Sequence, residues 1–377
     1  MSYHAICSGS DLDRKPVVSV VLVMRHRVSG DGACTWEGEE VEPCVEPVEY
    51  PDLETPALRR DVDPYAWRSF TDVVVQGTVR AERPVTSLGV ELSCEGSGAS
   101  FKRALVVSGD RRVERGAGGL RLSDPAPFTE MPLRYDRAYG GADLLADQRH
   151  VPGGAHDFLR EHFDVQGSPS LVTYPRNPAG RGYLTEADGA DGLAWPNVQW
   201  ADDLLQLDRL CAPHLDWGDR PYPAGFDWFH HTWFPRCAFM ALAPPTRDKA
   251  MPPREVELGI LERDLLQRPL LQRLGHGFSQ GAHPYLWRHR LLGDETLRVN
   301  AMSADGRDSV VRLQPYHPRV HITQPARPEA EAPVVLDCVF WETDEKRVTL
   351  VWRGSLPAAH PGTVAGWEER CSYRVGW

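Results

Sequence analysis

The sequence predicts a mainly β protein of the α+β class, built as an antiparallel β-sandwich or barrel-like body with a loop-rich middle and a few short helices. Two observations predict this class. Gly and Pro supply 33 and 32 of the 377 residues, and such frequent chain-breaking residues favour short strands joined by turns over long helices. Short runs rich in β-branched residues also recur near both ends of the chain at roughly ten-residue spacing, which is typical of antiparallel sheets.

Strands are expected wherever short apolar runs lie between turn signals. In the first third of the chain these runs are Val17–Val28, Thr71–Ala81, Ser87–Cys94 and Phe101–Gly109. Near the C-terminus they are Thr296–Ser303, Ser309–Pro315, Pro318–Thr323, Val334–Glu342 and Arg347–Gly354. We expect these two groups to form sheets that frame the middle of the chain.

The middle of the chain, 125–236, combines frequent Pro, Gly, Trp and Tyr with few long periodic runs. A long segment of this kind is usually either functional or disordered, and its aromatic content favours order. Apolar residues three or four positions apart predict short helices in this segment and just beyond it, at Ala142–His150, Ala155–Phe163, Ala201–Leu210 and Arg254–Leu274.

These patterns divide the chain into five regions that we expect to form one composite domain. They are an N-terminal strand with an irregular wrap (1–62), a β-sheet region (63–124), a loop-rich region with short helices (125–236), a variable and partly helical insertion (237–295) and a C-terminal β-sheet region (296–377).

Charge and hydropathy exclude several classes of function. Acidic residues outnumber basic ones by 53 to 42, for a formal net charge of −11, which argues against nucleic-acid or anionic-membrane binding and favours proteins or neutral ligands as partners. The longest apolar run, Val17–Met24, is too short for a transmembrane helix, and the polar N-terminus argues against a signal peptide. A cytoplasmic location is expected, and the oligomeric state stays open.

The sequence offers no strong metal or cofactor signature. The eight cysteines include no CxxC pair, so we interpret them as free thiols in a reducing compartment. The best metal-ligating set is His150, His156, Asp157 and His162, with the adjacent pair His230 and His231 further along. Adjacent histidines on an extended strand point to opposite faces, and we favour surface or hydrogen-bonded core roles for these side chains. No metal and no cofactor are therefore expected.

Catalytic motifs are also missing from the sequence: it has no GxSxG, no HExxH and no phosphate-binding GxxxxGK[ST]. Asp110, followed by Arg111 and Arg112, and the pair Asp202 and Asp203 could serve as acid/base groups, but turn and surface charges explain them more simply.

Tryptophan is concentrated in one part of the loop-rich region. Five of the twelve tryptophans, Trp195, Trp200, Trp217, Trp228 and Trp233, lie close to Phe226, Phe229 and Phe234. Such a cluster is either an exposed aromatic platform for a peptide or glycan, or a core that fills the space between irregular loops. Both interpretations stay open at this point.

Several ordered phrases resemble a bacterial family known as domain of unknown function 2169. They are SFTDVVVQGTVRAERPV (69–85), VSGDRRVERG (107–116), PAPFTEMPLRYDRAYGG (125–141), YPRNPAGRGY (174–183), WPNVQW (195–200), RPYPAGFDWFHHTWFPR (220–236) and LVWRG (350–354). After Arg236 the chain departs from the family pattern and reads CAFMALAPPTRD.

The resemblance implies a role beside bacterial type VI secretion systems, in which family members act as adaptors that load a toxin onto the spike. The expected partners are therefore a secreted effector or toxin and a spike protein. The resemblance implies no enzymatic activity.

The motif residues also have physical interpretations of their own. Gly140 and Gly141 permit backbone angles closed to other residues and predict a sharp turn flanked by Arg137 and Tyr139. Asn177 before Pro178 suits turn initiation, and Gly180 and Gly182 free the chain around Arg181. Arg111, Arg137, Arg181 and Arg236 are candidates for multidentate bonding to loop carbonyls or carboxylates.

The candidate partner-binding or motif residues therefore come from the quoted phrases, and they either contact a partner or hold the loops together. They are Arg137, Tyr139, Gly140, Gly141, Asn177, Gly180, Arg181, Asn197, Trp200, Trp217, Phe226, Trp228, Trp233 and Arg236.

Three hypotheses for function follow. The favoured one is a non-enzymatic adaptor or chaperone that binds a secreted effector and helps load it onto the spike complex. The alternatives are a hydrolase that acts on a glycan or peptide, with its site in the aromatic loops, and a structural or glycan-binding component of a contractile apparatus.

Overall fold

The computed structural model describes residues 3–10, 15–38, 41–65, 67–153, 155, 171–210, 216–237, 253–257, 260–261, 277, 279–315, 318–358 and 370–376. The first strands are β1 (Tyr3–Ser10), β2 (Pro16–Val28), β3 (Cys34–Trp36), β4 (Val48–Glu49), β5 (Leu58–Arg60), β6 (Thr71–Gln76), β7 (Thr78–Val85), β8 (Ser87–Glu95), β9 (Ser100–Ser108), β10 (Val113–Gly116) and β11 (Gly119–Leu122). The later strands are β12 (Phe128–Pro132), β13 (Tyr139–Gly140), β14 (Arg181–Gly182), β15 (Val198–Trp200), β16 (Trp287–Arg288), β17 (Thr296–Val299), β18 (Ser309–Arg312), β19 (Arg319–Thr323), β20 (Ala330–Ala332), β21 (Val334–Glu342), β22 (Arg347–Pro357) and β23 (Ser372–Gly376).

Helices in the described part of the chain are short. The α-helices are α1 (Leu144–His150) and α2 (Pro253–Glu257). Single 3-10 turns lie at Tyr135–Arg137, Ala187–Ala190, Leu207–Arg209, Trp217–Asp219 and Pro284–Leu286. Among the described residues, no helix has the length and apolar character that crossing a membrane requires.

The largest sheet has seven strands and joins the two ends of the chain. Its order is β1-β2-β22-β21-β6-β16, and β3 also pairs with β2. β2 and β22 pair antiparallel from Val17 opposite Pro357 to Arg27 opposite Arg347, whereas β21 runs parallel to β6. Every residue of β6 is buried, which explains why three valines, Val73, Val74 and Val75, follow one another at its centre without alternating with polar residues.

A five-stranded sheet has the order β15-β9-β8-β17-β18. Buried and more exposed residues alternate along its β8, as expected for a strand with one face on the core. A three-stranded sheet, β20-β19-β23, and four two-stranded pairs complete the described β structure: β10-β11, β12-β7, β13-β14 and β4-β5.

Two apolar clusters lie inside the molecule. The larger one gathers side chains of both large sheets with Trp200, Phe226, Trp228 and Trp233 from the loop-rich region. The smaller one lies within the loops and includes Tyr139, Tyr174, Trp195, Trp217 and Phe234, together with Ile260 and Leu261 from beyond α2. The loop-rich region therefore has an apolar core of its own.

The predicted fold class is confirmed: the chain is mainly β, and its described strands do not close into a barrel. All the predicted strands are present, but Thr71–Ala81 is not a single strand. Gly77, with φ of +156°, separates β6 from β7. A β-carbon at this position would overlap Thr343 Oγ1, so the chain changes direction where only glycine fits.

The helix predictions have mixed outcomes. The helix predicted at Ala142–His150 is present as α1. The helix predicted over Ala201–Leu210 is wrong, since only the 3-10 turn at Leu207–Arg209 forms there. The backbone N–H of Leu205 donates to Gln199 Oε1 at 2.8 Å, which fixes the segment as a turn after β15. Most of Ala155–Phe163 and of Arg254–Leu274 lies outside the described residues, apart from α2 and a few neighbouring positions.

Candidate functional site in the loop-rich region

Two of the motif phrases interlock at the centre of the loop-rich region. The RAYGG segment supplies β13 and the NPAGRGY segment supplies β14, and the two strands pair in parallel. Asn177 lies between them, fully buried, and its side-chain amide donates to the carbonyls of Tyr135 at 2.9 Å and Tyr139 at 3.0 Å. The backbone N–H of Gly141 in turn donates to the Asn177 carbonyl at 2.8 Å. Asn177 therefore holds the two phrases together.

The glycines of these phrases are required by close backbone packing. Gly140 and Gly141 have the positive φ values expected of the pair, +153° and +94°, but the predicted sharp turn is wrong, because Gly140 ends β13, which pairs with β14. A β-carbon on Gly141 would lie 2.5 Å from the Gly180 carbonyl oxygen, and one on Gly180 would lie 2.6 Å from the Ala138 carbonyl oxygen. Side chains at these positions would push the two phrases apart.

Five polar side chains form a cluster beside this junction, and we call Asp110, Asp136, Arg137, Arg181 and Asn197 the arginine–aspartate cluster. Arg181 donates from Nε to the Asp136 carbonyl at 2.9 Å and from Nη1 to Asn197 Oδ1 at 3.0 Å. Asn197 donates from Nδ2 to Asp110 Oδ1 at 3.0 Å. The cluster thus joins the phrases that begin at 107, 125, 174 and 195.

The arginine–aspartate cluster is only partly covered. The exposed fractions of the side chains are 69% for Asp110, 27% for Arg137, 25% for Arg181 and 12% for Asp136. Burial, together with repulsion from Arg137, lowers the pKa of the Arg181 guanidinium below its ordinary value. The exposed part of the motif is therefore polar and carries arginine donors at fixed positions.

A second motif arginine, Arg176, lies fully buried beneath the loops and pairs with Glu255 of α2. Its Nε and Nη2 donate to the two carboxylate oxygens at 2.6 and 2.7 Å. The remaining contacts run to the Tyr174 hydroxyl at 3.0 Å and to the carbonyls of Gly218 and Arg220 at 3.0 and 3.2 Å. This pair anchors α2 to the loop-rich region.

Arg236, at the end of the last motif phrase of the middle region, is also buried. It donates to the Phe229 carbonyl at 2.6 Å, to Asp61 Oδ2 at 3.0 Å and to the Tyr65 hydroxyl at 3.0 Å. This confirms multidentate bonding for Arg236, which ties the loops to the N-terminal wrap.

The aromatic rings of the motif phrases are buried, so of the two interpretations left open from the sequence, the core and not the exposed platform holds for them. The exposed fractions are 1% for Trp200, Trp228 and Trp233, 0% for Phe226 and 9% for Trp217. Trp200 packs against His283 and Tyr285, with ring centroids 4.9 and 5.2 Å apart. These rings fill the space between irregular loops.

His150 and His230 have the surface and hydrogen-bonded core roles favoured from the sequence, since His150 is exposed and the buried His230 bonds to Thr232. The rings of His230 and His231 stack with centroids 4.3 Å apart, and they do not point to opposite faces because His231 lies in a turn and not on an extended strand. Burial lowers the pKa of His230 to about 3. His150 contacts Glu186, while His156, Asp157 and His162 lie outside the described residues. In the described part of the chain, no three His, Cys, Asp or Glu side chains form a group that could hold a metal.

Among the buried acids that sequence reasoning missed is Asp227, which lies in the phrase GFDWF. It accepts hydrogen bonds from the Tyr50 hydroxyl at 2.8 Å, from Gln76 Nε2 at 2.5 Å and from the backbone N–H of Trp228 at 2.7 Å. Burial raises the pKa of its carboxyl to about 7. The sequence signal that could have indicated a buried carboxyl is the position of Asp227 between Phe226 and Trp228.

The structure brings only some of the predicted residues together. Arg137, Arg181 and Asn197 meet in the arginine–aspartate cluster, and Tyr139, Gly140, Gly141, Asn177 and Gly180 form the junction beneath it. The aromatic residues and Arg236 lie in the interior, and Arg176 and Glu255 were not singled out from the sequence.

Comparison with known proteins gives one match. A family model described as an uncharacterized protein conserved in bacteria, domain of unknown function 2169, matches residues 13–353. No curated protein and no solved structure matches the chain.

Proposed function

This chain belongs to the domain of unknown function 2169 family, and from that membership we propose that it is a non-enzymatic adaptor or chaperone. In this proposal it binds an effector of a bacterial type VI secretion system in the cytoplasm and helps load it onto the spike complex. The partners are a secreted effector and a spike protein.

The observation that carries the proposal is the construction of the loop-rich region. Its motif phrases are locked to each other by buried groups, namely Asn177 at the centre and Arg176 with Glu255 below it. Loops fixed in this way form a preorganised surface, which binds a partner with little loss of conformational entropy. An adaptor needs such a surface, because its task is recognition.

The exposed part of this surface supports protein recognition more than glycan recognition. The aromatic rings that could have stacked on a sugar are buried, whereas Arg137 and Arg181 reach the surface beside Asp110. Arginine is enriched among residues that dominate binding energy in protein interfaces. The hydrolase alternative placed its site in these aromatic loops, whose rings are buried.

The proposal is tested in the native bacterium by deleting the gene and analysing purified spike particles and the secreted fraction by mass spectrometry. We expect one effector to disappear from the spike particles while the spike itself still assembles. The wild-type gene supplied in trans is expected to restore the effector.

A matched pair of variants separates surface from scaffold in the same assay. Arg137→Gln changes the exposed cluster, and Arg121→Gln changes an exposed arginine that pairs with Glu114 on the β10-β11 hairpin. We expect Arg121→Gln to load the effector normally and Arg137→Gln to load less of it. Full loading after deletion of the gene would refute the adaptor function.

A further inference from the structure

Arg137 and Arg181 both lie near the exposed carboxylate of Asp110, and both are farther from it than a close ion pair requires. The distances from Asp110 Oδ1 are 3.4 Å to Arg137 Nη1 and 3.6 Å to Arg181 Nη1. Charge-assisted bonds between guanidinium and carboxylate usually close to about 2.7–2.9 Å. Asp110 is therefore a poorly fitted counter-ion for the two arginines.

Other arginines of the loop-rich region form ion pairs with short distances between nitrogen and oxygen. Arg176 lies 2.6 Å from Glu255, and Arg134 lies 2.9 Å from Asp52. The second acid of the arginine–aspartate cluster, Asp136, is already engaged by Arg134 at 3.1 Å, and it lies 3.6 Å from Arg137 and 4.0 Å from Arg181. The long distances are thus a local property of Arg137 and Arg181.

The two guanidinium groups are also held in place by different means. Arg181 is fixed by the Asp136 carbonyl and by Asn197 Oδ1. The Nη1 of Arg137 lies 3.4 Å from Asp110 Oδ1, and its Nε lies 3.6 Å from Asp136 Oδ2. Two cations side by side, with only long contacts to carboxylates among the described residues, favour an added anion.

We propose that Arg137 and Arg181 together bind a carboxylate from an acidic segment of the partner protein, and that Asp110 occupies this place in the free chain. The proposal rests on the adaptor function and names the chemistry of its partner. Guanidinium groups bind carboxylates through paired, directional hydrogen bonds, so two of them can take both oxygens of one side chain. Asp110, 69% exposed, leaves this place at little cost in solvation.

Asp110→Asn distinguishes this proposal from a purely structural role. Asparagine retains an acceptor for Asn197 Nδ2 but removes the charge that competes with the incoming carboxylate. If Asp110 is a place-holder, the variant binds an acidic ligand more tightly than the wild type. If the cluster only holds loops together, the variant binds no more tightly.

The probe is a fluorescein-labelled peptide of about ten glutamates, followed by fluorescence anisotropy at low salt, with a glutamine peptide of equal length as the control ligand. We expect Asp110→Asn to bind the glutamate peptide roughly threefold more tightly than the wild type. Arg137→Gln is expected to bind roughly tenfold more weakly. Arg121→Gln is expected to match the wild type, and the glutamine peptide is expected not to bind.

A melting curve accompanies each variant, because a loss of binding counts only when the melting temperature is unchanged. Equal affinity of Asp110→Asn and wild type, or no binding to either, overturns the proposal. The adaptor function fails independently, when deletion of the gene leaves effector loading intact. A result in which loading needs the gene but the peptide affinities do not change refutes only the carboxylate site.

Discussion

The buried pair of Arg176 and Glu255 gives the sharpest test of the scaffold. Both side chains are fully buried, and two short charge-assisted bonds join them, at 2.6 and 2.7 Å. Glu255→Gln removes the negative charge, keeps the shape and leaves the Arg176 charge uncompensated in the interior. Breaking a buried pair by removing one partner costs about 3–5 kcal/mol, so we expect the free energy of unfolding to fall by that amount.

The measurement is urea denaturation of the wild type, Glu255→Gln and the control Glu257→Gln. Glu257 lies on the same helix but is exposed, so its variant is expected to stay within about 0.5 kcal/mol of the wild type. Hydrogen exchange should also rise in the segment around Tyr174 and in the 3-10 turn Trp217–Asp219, whose neighbouring carbonyls bind Arg176. A loss below about 1 kcal/mol for Glu255→Gln would refute the view that this pair locks the loops.

Three further predictions concern the junction, the buried acid and the aromatic core. The added β-carbon of Gly141→Ala would lie 2.5 Å from the Gly180 carbonyl oxygen, at a backbone φ of +94°. The added β-carbon of Gly192→Ala would lie in open space, at a backbone φ of +81°. We therefore expect Gly141→Ala to lower the melting temperature clearly more than Gly192→Ala, which carries only the backbone cost of about 1–2 kcal/mol. The pKa of Asp227 is raised to about 7, so the stabilising contribution of its carboxyl is full below about pH 4 and is lost as the pH rises through 7. In urea titrations the free energy of unfolding of Asp227→Asn, relative to that of the wild type, should therefore grow over this range by up to about 4 kcal/mol. A difference that does not change with pH would contradict the raised pKa. Trp233→Ala should cost about 3–5 kcal/mol in the same assay, and a stable variant with weakened partner binding would instead place Trp233 at an interface.

The strands could be predicted from the sequence because their signal is local. β2 and β21 stand out as β-branched runs between turn residues, and their spacing alone indicates a β-rich chain. The apolar pattern does not show the break at Gly77, because the break depends on the close approach of Thr343, which is far away in the chain. Parallel pairing of β21 with β6 likewise depends on tertiary packing.

The candidate site could be predicted only in part, for the same reason. Glycine pairs permit unusual backbone angles, and Gly140 and Gly141 do have positive φ values, but they lie at the end of β13 and not in the predicted turn. Burial of Trp200 depends on His283 and Tyr285, and the partner of Arg176, Glu255, lies 79 residues further along the chain. Neither contact can be recognised from the neighbouring sequence, because the partners are far apart in the chain. A tryptophan-rich run is therefore compatible with both a surface and a core until the fold is known.

The proposed delivery of an effector to a secretion spike is tested most directly by the protein content of spike particles purified with and without the gene. We predict that deletion removes one effector from particles that are otherwise complete, and that the wild-type gene and its Arg121→Gln variant restore that effector. Particles of unchanged composition after deletion would refute the proposed function.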